Sequence, residues 1–202
     1  MKHSNSLERH NILNRFLVGN NELEELTAEL NIFNFFKILK IERVEIRHSN
    51  ILSWLLNPLE NHGFSDFFVK RFLSTILIES EQAPFQPARI ELMNFQDLEV
   101  RREWKNIDLL AISNVNKLII LIENKIKSGV SDQQLSKYLI KVKEEYPRHK
   151  IIPVLLTLYA EGSREYAEKA GYIPWSHEQM CQVVNQIYNQ RSKNMFECIR
   201  TQ

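Results

Sequence analysis

Two apolar runs and the short turn between them restrict this chain more than anything else in it. Ile107-Asp-Leu-Leu-Ala-Ile112 and Lys117-Leu-Ile-Ile-Leu-Ile-Glu-Asn-Lys125 flank the turn Ser113-Asn-Val-Asn116. Both runs are apolar at odd and even positions alike. Side chains alternate between faces along a strand, so strands of this kind belong in the middle of a sheet covered on both sides. The second run ends in two charges. Glu123 and Lys125 share a face, and Asn124 points to the other. An apolar strand that delivers an acid and a lysine side by side reads as the edge of a site.

The turn determines what lies opposite. A loop of two residues, Val115-Asn116, pairs Asn114 with Lys117. A loop of four, Asn114–Lys117, pairs Ser113 with Leu118. Both give one register, in which Asp108 faces Glu123; a loop of three would shift it by one. Directly opposite residues lie about 4.5–5.5 Å apart between Cβ atoms and point the same way. Two facing carboxylates repel unless a cation lies between them, and Leu110, Ile112, Ile119 and Leu121 on that face offer none. Lys125 offers some compensation. A divalent cation offers more, because hard cations take carboxylate oxygens, water and phosphate. The competing reading is a structural Asp–Glu–Lys cluster at a sheet end.

The rest of the chain supplies helices before and after. Periodicity suggests helices at about Leu7–Val18 and across 22–40, where Leu23, Leu26, Leu30, Phe33 and Ile38 recur at helical spacing. A third ends at Asn57-Pro58, with Ile51, Leu52, Leu55 and Leu56 on its apolar face and Glu45 and His48 on one side. Ser65 is the expected cap of a helix over 66–78. Residues 80–91, with Pro84 and Pro87, read as a connection. Leu98, Val100 and Arg102 alternate with Glu99, Arg101 and Glu103, as in a half-exposed strand. Lys127-Ser-Gly-Val130 is a loop, and Ser131 or Asp132 caps a helix to about Tyr146. Ile151–Leu158 is a strand whose Pro153 suggests a bulge or an edge. Tyr172–Trp175 is extended, and Ser176 caps a helix to about Tyr188.

This pattern reads as a single α/β domain over residues 1–202: helical to about 80, a core at about 95–160, and a C-terminal helix at about 176–190. The net charge of +1 excludes a globally basic nucleic-acid binder. Basic surface is therefore local, or shared between the subunits of a homodimer. Cys181 and Cys198 lack metal-ligand spacing and fit reduced thiols in the cytoplasm. The polar N-terminus lacks the apolar core of a signal peptide. No apolar run approaches the roughly 18–20 residues of a membrane span, so no membrane partner is expected. Nothing points to a small-molecule cofactor.

Asp108 followed by Glu123-Asn124-Lys125 at the end of the next strand resembles the PD-(D/E)XK nuclease superfamily. The helix–strand–strand–strand–helix–strand order resembles that superfamily's core, the restriction-endonuclease-like fold. Glu45-Ile-Arg-His48-Ser49-Asn-Ile-Leu-Ser-Trp-Leu-Leu-Asn-Pro58 with His62-Gly63 looks like the opening helix of one bacterial branch. Glu103-x4-Asp108 and Gln134-Leu-x-x-Tyr138 are similar to elements of the same branch. On a regular strand Glu103 would face away from Asp108; a bend at Lys105-Asn106 would change that. A lone D…ExK is common by chance; the ordered set is specific. Ile107 stands where the nominal motif has proline, and nothing after about residue 175 carries a recognised motif. Members of the branch commonly run longer, so a short member or a fragment is expected.

The resemblance implies phosphodiester hydrolysis with Mg²⁺ or Mn²⁺, and DNA as the expected substrate. It implies Asp108, Glu123 and the backbone carbonyl of Asn124 as metal ligands, with Glu45 as an additional acid. Lys125 would hold the attacking water. Gln134 and Tyr138 would orient that lysine or contact DNA, and Lys127, Lys137, Lys141 and His48 would line the nucleic acid. Two alternatives compete with a nuclease. One is a protein of nuclease fold that binds nucleic acid or a partner without cutting, which the intact Asp108, Glu123 and Lys125 argue against. The other is a zinc site on His48 and His62 with Glu45.

Overall fold

The turn after the first apolar run sets the sheet. In the computed structural model, Ser113 pairs with Leu118, Ala111 with Ile120 and Leu109 with Ile122. The four-residue loop is therefore the one used, with Lys117 at φ 50°. Asp97 pins it, accepting from Ser113 Oγ at 2.8 Å and from the Val115 N–H at 2.9 Å. The structure describes residues 44–80, 84–126 and 131–200, with side chains to 190. The helices expected before residue 43, and the loop that carries Lys127, lie outside the described residues.

The elements run α1 (Glu45–Leu56), α2 (Phe67–Ile78), α3 (Pro87–Glu91), β1 (Glu99–Trp104), β2 (Ile107–Ser113) and β3 (Leu118–Lys125). They continue with α4 (Asp132–Glu145), β4 (Lys150–Thr157), α5 (Arg164–Lys169), β5 (Ile173–Ser176) and α6 (His177–Arg200). The sheet order is β1-β2-β3-β4-β5. The β1–β2 and β2–β3 pairs are antiparallel; β3–β4 and β4–β5 are parallel. A parallel pair needs a crossover, and α4 and α5 supply the two.

Both apolar strands are interior, as their two-sided patterns require. Leu109, Ala111, Ile120 and Ile122 face a core built with Leu52, Leu56, Phe68, Phe72 and Ile90, and with Val183 of α6. Leu110, Ile112, Ile119 and Leu121 face Leu135, Tyr138 and Val142 of α4 and Ala167 of α5. Fully burying each such side chain is worth about 1.5–3 kcal/mol, so one strand contributes to two cores at once. Asp108, Glu123 and Lys125 have the parity of the α4 face. Asn124 has the parity of the face covered by α1 and α6.

Several local expectations are corrected. The connection over 80–91 contains α3, with Pro87 in its first turn. Proline there loses no helical hydrogen bond, because the first N–H groups of a helix have no partner anyway. Ser65 does not cap α2. It adopts φ 53°, and Asp66 is the cap residue, its carboxylate engaged by Phe95 N–H and Lys70. β4 is an interior strand, not an edge strand. Its pairing with β5 begins at Val154, however, so Pro153 has only β3 beside it. Helix α6 continues to Arg200, well past Tyr188.

Ser176 does cap α6, and reciprocally. Its Oγ accepts from the Gln179 N–H at 3.0 Å, and Gln179 Oε1 accepts from the Ser176 N–H at 2.9 Å. This is a capping box. Ser176→Ala is expected to destabilise the protein by about 1 kcal/mol, read as a lowered urea midpoint at unchanged slope.

Candidate active site

The site forms where β2 and β3 part. Asp108 lies one residue beyond the Leu109–Ile122 pair, level with Glu123. Its Oδ2 accepts the Asn124 backbone N–H at 2.8 Å. The carboxylate thus takes a hydrogen bond at the strand end and stays beside Glu123. Glu123 is 1% exposed, and Lys125 Nζ lies 3.1 Å from Glu123 Oε1. Glu123 Oε2 is buried and has no hydrogen-bond partner among the described residues.

Glu45 arrives from the start of α1. Its Oε1 accepts the Ile126 N–H at 2.9 Å, and its Oε2 lies 3.9 Å from Lys125 Nζ. The expected set of Asp108, Glu123, Lys125 and Glu45 is therefore brought together from three elements. Glu103 joins it, although alternation along one regular strand puts it on the opposite face. Trp104 pairs with Ile107 and Arg102 with Leu109, so Glu103 lies level with Asp108 across the hairpin. The hairpin turns through Lys105 (φ 51°) and Asn106 (φ 71°), and Glu103 itself has φ 52°. Two successive residues at positive φ are the mark of a two-residue hairpin turn.

The electrostatics follow from burial. Desolvation pushes the Glu123 carboxyl up to about 7; Asp108 adds to the rise and Lys125 opposes it. Desolvation also raises Asp108, against the pull of the Asn124 N–H and Lys125, with Glu45 and Glu103 adding to the rise. Burial works against the Lys125 ammonium, but Glu123, Asp108 and Glu45 together hold it above the ordinary lysine range. One lysine does not fully offset this many carboxylates. A strained electrostatic cluster of this kind is a frequent property of functional sites.

On α4, the Gln134 amide Nε2 donates to the Tyr138 hydroxyl at 2.8 Å, and the Lys141 ammonium lies 5.7 Å from the Tyr138 ring centre. Tyr138 is 8% exposed, while Lys137 and Lys141 are on the surface. Tyr172, just before β5, donates to the Leu135 carbonyl at 3.1 Å. Burial raises its phenol well above the usual range, with Glu123 and Tyr138 adding to the rise. Tyr172, bonded to the back of α4, is thus in electrostatic reach of Glu123.

The histidines divide. His62 closes the turn after α1: its Nδ1 accepts from the Phe64 N–H, so Nε2 donates to the Asn57 carbonyl, each at 2.9 Å. His48 lies edge-on to His177 at 5.3 Å between ring centres. The alternative zinc site on His48, His62 and Glu45 is not formed. Among the described residues, no group of three or more His, Cys, Asp or Glu side chains is arranged to hold a metal ion. The donors that do suit a cation are the facing oxygens of Asp108 and Glu123, including the buried, unpartnered Glu123 Oε2. All-oxygen donors fit Mg²⁺ or Mn²⁺ better than zinc.

A family model described as the PD-(D/E)XK nuclease superfamily matches residues 33–201. The chain belongs to this superfamily. No curated protein and no solved structure matches the chain. The mixed five-stranded sheet between helices is the restriction-endonuclease-like architecture of the superfamily. Its members generally use divalent metal ions and act on nucleic acids. No helix among the described residues is long and apolar enough to cross a membrane.

Proposed function

We propose that this chain is a cytoplasmic endonuclease that hydrolyses phosphodiester bonds in DNA with Mg²⁺ or Mn²⁺. The observation that carries the reading is the buried Glu123 carboxylate. It lies level with Asp108 and beside Lys125, and its Oε2 has no hydrogen-bond partner among the described residues. A buried carboxylate oxygen left without a donor is costly, and a divalent cation removes that cost.

Asp108, Glu123 and the Asn124 carbonyl would hold the ion, and Glu45 would reach it through water. A bound ion would supply Lewis-acid stabilisation of the phosphate and lower the pKa of its water. Lys125 keeps its proton, orients the attacking water and offsets the charge that builds on the phosphate. Gln134 and Tyr138 orient Lys125 or contact the DNA. Lys127, Lys137, Lys141 and His48 contact the nucleic acid, the lysines through phosphates, where contacts position the substrate without reading sequence. With a net charge of +1, this basic surface is local or completed by a second subunit.

The test incubates supercoiled plasmid, linear duplex, single-stranded DNA and RNA with the protein in Mg²⁺, Mn²⁺ or EDTA. Cleavage of DNA in either metal is expected, with none in EDTA. Asp108→Ala should abolish it, a loss on the order of 10³-fold for an electrostatic anchor of the transition state. Cleavage of RNA alone would move the substrate. Binding without cleavage in every metal would make this a binding protein on a nuclease fold. Unimpaired cleavage by Asp108→Ala would overturn the site.

A further inference from the structure

His177 takes no part in the chemistry proposed above, yet it ends a chain of hydrogen bonds directly behind the site. The link is Asn124, which is 0% exposed. Its amide orientation follows from its partners. The Glu45 main-chain oxygen can only accept, so the group facing it at 3.2 Å is Nδ2, which also donates to Ser49 Oγ at 3.1 Å. Oδ1 therefore faces His177 Nε2, at 2.9 Å. An amide oxygen only accepts, so His177 carries its proton on Nε2. Burial and the neighbouring His48 hold the imidazole down to about 4, so it is neutral near pH 7.

This side chain ties β3 to the first turns of α1 and α6. Its partners are 79, 75 and 53 residues away in sequence. On the other face, the Asn124 main-chain N–H holds Asp108 Oδ2 at 2.8 Å, and its flanking residues are Glu123 and Lys125. Three side-chain hydrogen bonds fix the Asn124 backbone, and a shift of that backbone moves the peptide units that join it to Glu123 and Lys125 and the N–H that holds Asp108.

We propose that His177 is a positioning residue for the nuclease site: its Nε2–H locks Asn124, and through Asn124 it sets the spacing of Asp108, Glu123 and Lys125. The activity part of this proposal rests on the nuclease reading. The structural part does not. Lost outer-layer hydrogen bonds typically weaken metal binding or activity by about 10–100-fold.

The experiment compares wild type with His177→Ala and His177→Gln, whose amide can still donate. Three quantities are measured: exchange of the Asn124 amide proton, Mn²⁺ affinity by electron paramagnetic resonance without DNA, and kcat and KM on DNA. For His177→Ala, faster Asn124 exchange, roughly tenfold weaker Mn²⁺ binding and a kcat reduced by about the same factor at unchanged KM are expected. His177→Gln should restore most of each. If His177→Ala fails to fold, Gln against Met at this position repeats the comparison, because both fill the space and only Gln donates. Asn124 exchange and Mn²⁺ affinity equal to wild type in the non-donating variant would overturn the lock. Equal defects in donating and non-donating variants would also overturn it. If wild type neither binds Mn²⁺ nor cuts, the nuclease reading fails, and the exchange comparison still decides the lock.

Discussion

Glu123→Gln is expected to stabilise the metal-free protein and to abolish cleavage in the same step. The wild-type carboxyl is raised from 4.5 to about 7, chiefly by desolvation. Between these values the folded state holds a proton that the unfolded chain has lost. Unfolding then releases protons, so stability falls as pH rises from 4.5 through about 7. The stability is fully present below the unfolded value and is lost above the folded one. A tenfold change in proton affinity corresponds to about 1.4 kcal/mol, so ionising Glu123 costs on the order of 3 kcal/mol above pH 7. Glutamine carries no charge and escapes that cost. Its amide still needs partners in a buried position, so the net gain at pH 8 in EDTA should be about 1–2 kcal/mol. Urea melts at pH 5 and pH 8 read it, with a gain at pH 8 that largely vanishes at pH 5. Cleavage should fall on the order of 10³-fold. Mn²⁺ should stabilise wild type at pH 8 and leave the variant nearly unchanged, because only a ligand bound to the native state raises its stability. A variant less stable than wild type at pH 8 would mean that Glu123 is a structural partner of Lys125 and not a strained ligand.

Glu123 also illustrates what a single sequence can convey. Its partner across β2–β3 follows from a short turn and strict alternation, because a loop of two or of four residues leads to the same pairing. Glu103 is the opposite case. Alternation along a regular strand sets it on the far face from Asp108, whereas the Lys105-Asn106 turn brings the two level across the hairpin. Lys105-Asn106 marks a candidate bend in the sequence, but only the two successive positive φ values decide that it is a tight hairpin turn. Pro87 is ambiguous in another way: proline punctuates a connection, and it also begins α3 well. The tie from Asn124 to Glu45, Ser49 and His177 joins parts of the chain that no local pattern connects. Alternation indicates only that the Asn124 side chain points away from Glu123. Which residues wait behind the sheet depends on how α1 and α6 pack over it, and that packing is tertiary.

Lys125→Ala should remove cleavage while sparing metal binding. Lys125 Nζ is 3.1 Å from Glu123 and 3.9 Å from Glu45, and the lysine stays protonated because those carboxylates and Asp108 outweigh its burial. A cation fixed in a shielded place is worth more to a transition state than to the ground state, since the charge it meets grows during the reaction. The expected loss is on the order of 10²–10³-fold in kcat. Mn²⁺ affinity should hold or increase, because the lysine competes with the ion for the same carboxylates. Stability has its own signature. Removing one partner of a buried pair leaves a charge uncompensated, a loss of about 3–5 kcal/mol when the charge persists. Here Glu123 can protonate instead, since its carboxyl already sits at about 7 and loses the lysine that lowers it. The cost of Lys125→Ala in EDTA should therefore be small at pH 6 and larger at pH 8. Cleavage that survives Lys125→Ala would sink the proposed mechanism. Lost cleavage with equally lost Mn²⁺ binding would reassign the lysine from the chemistry to the support of its carboxylates.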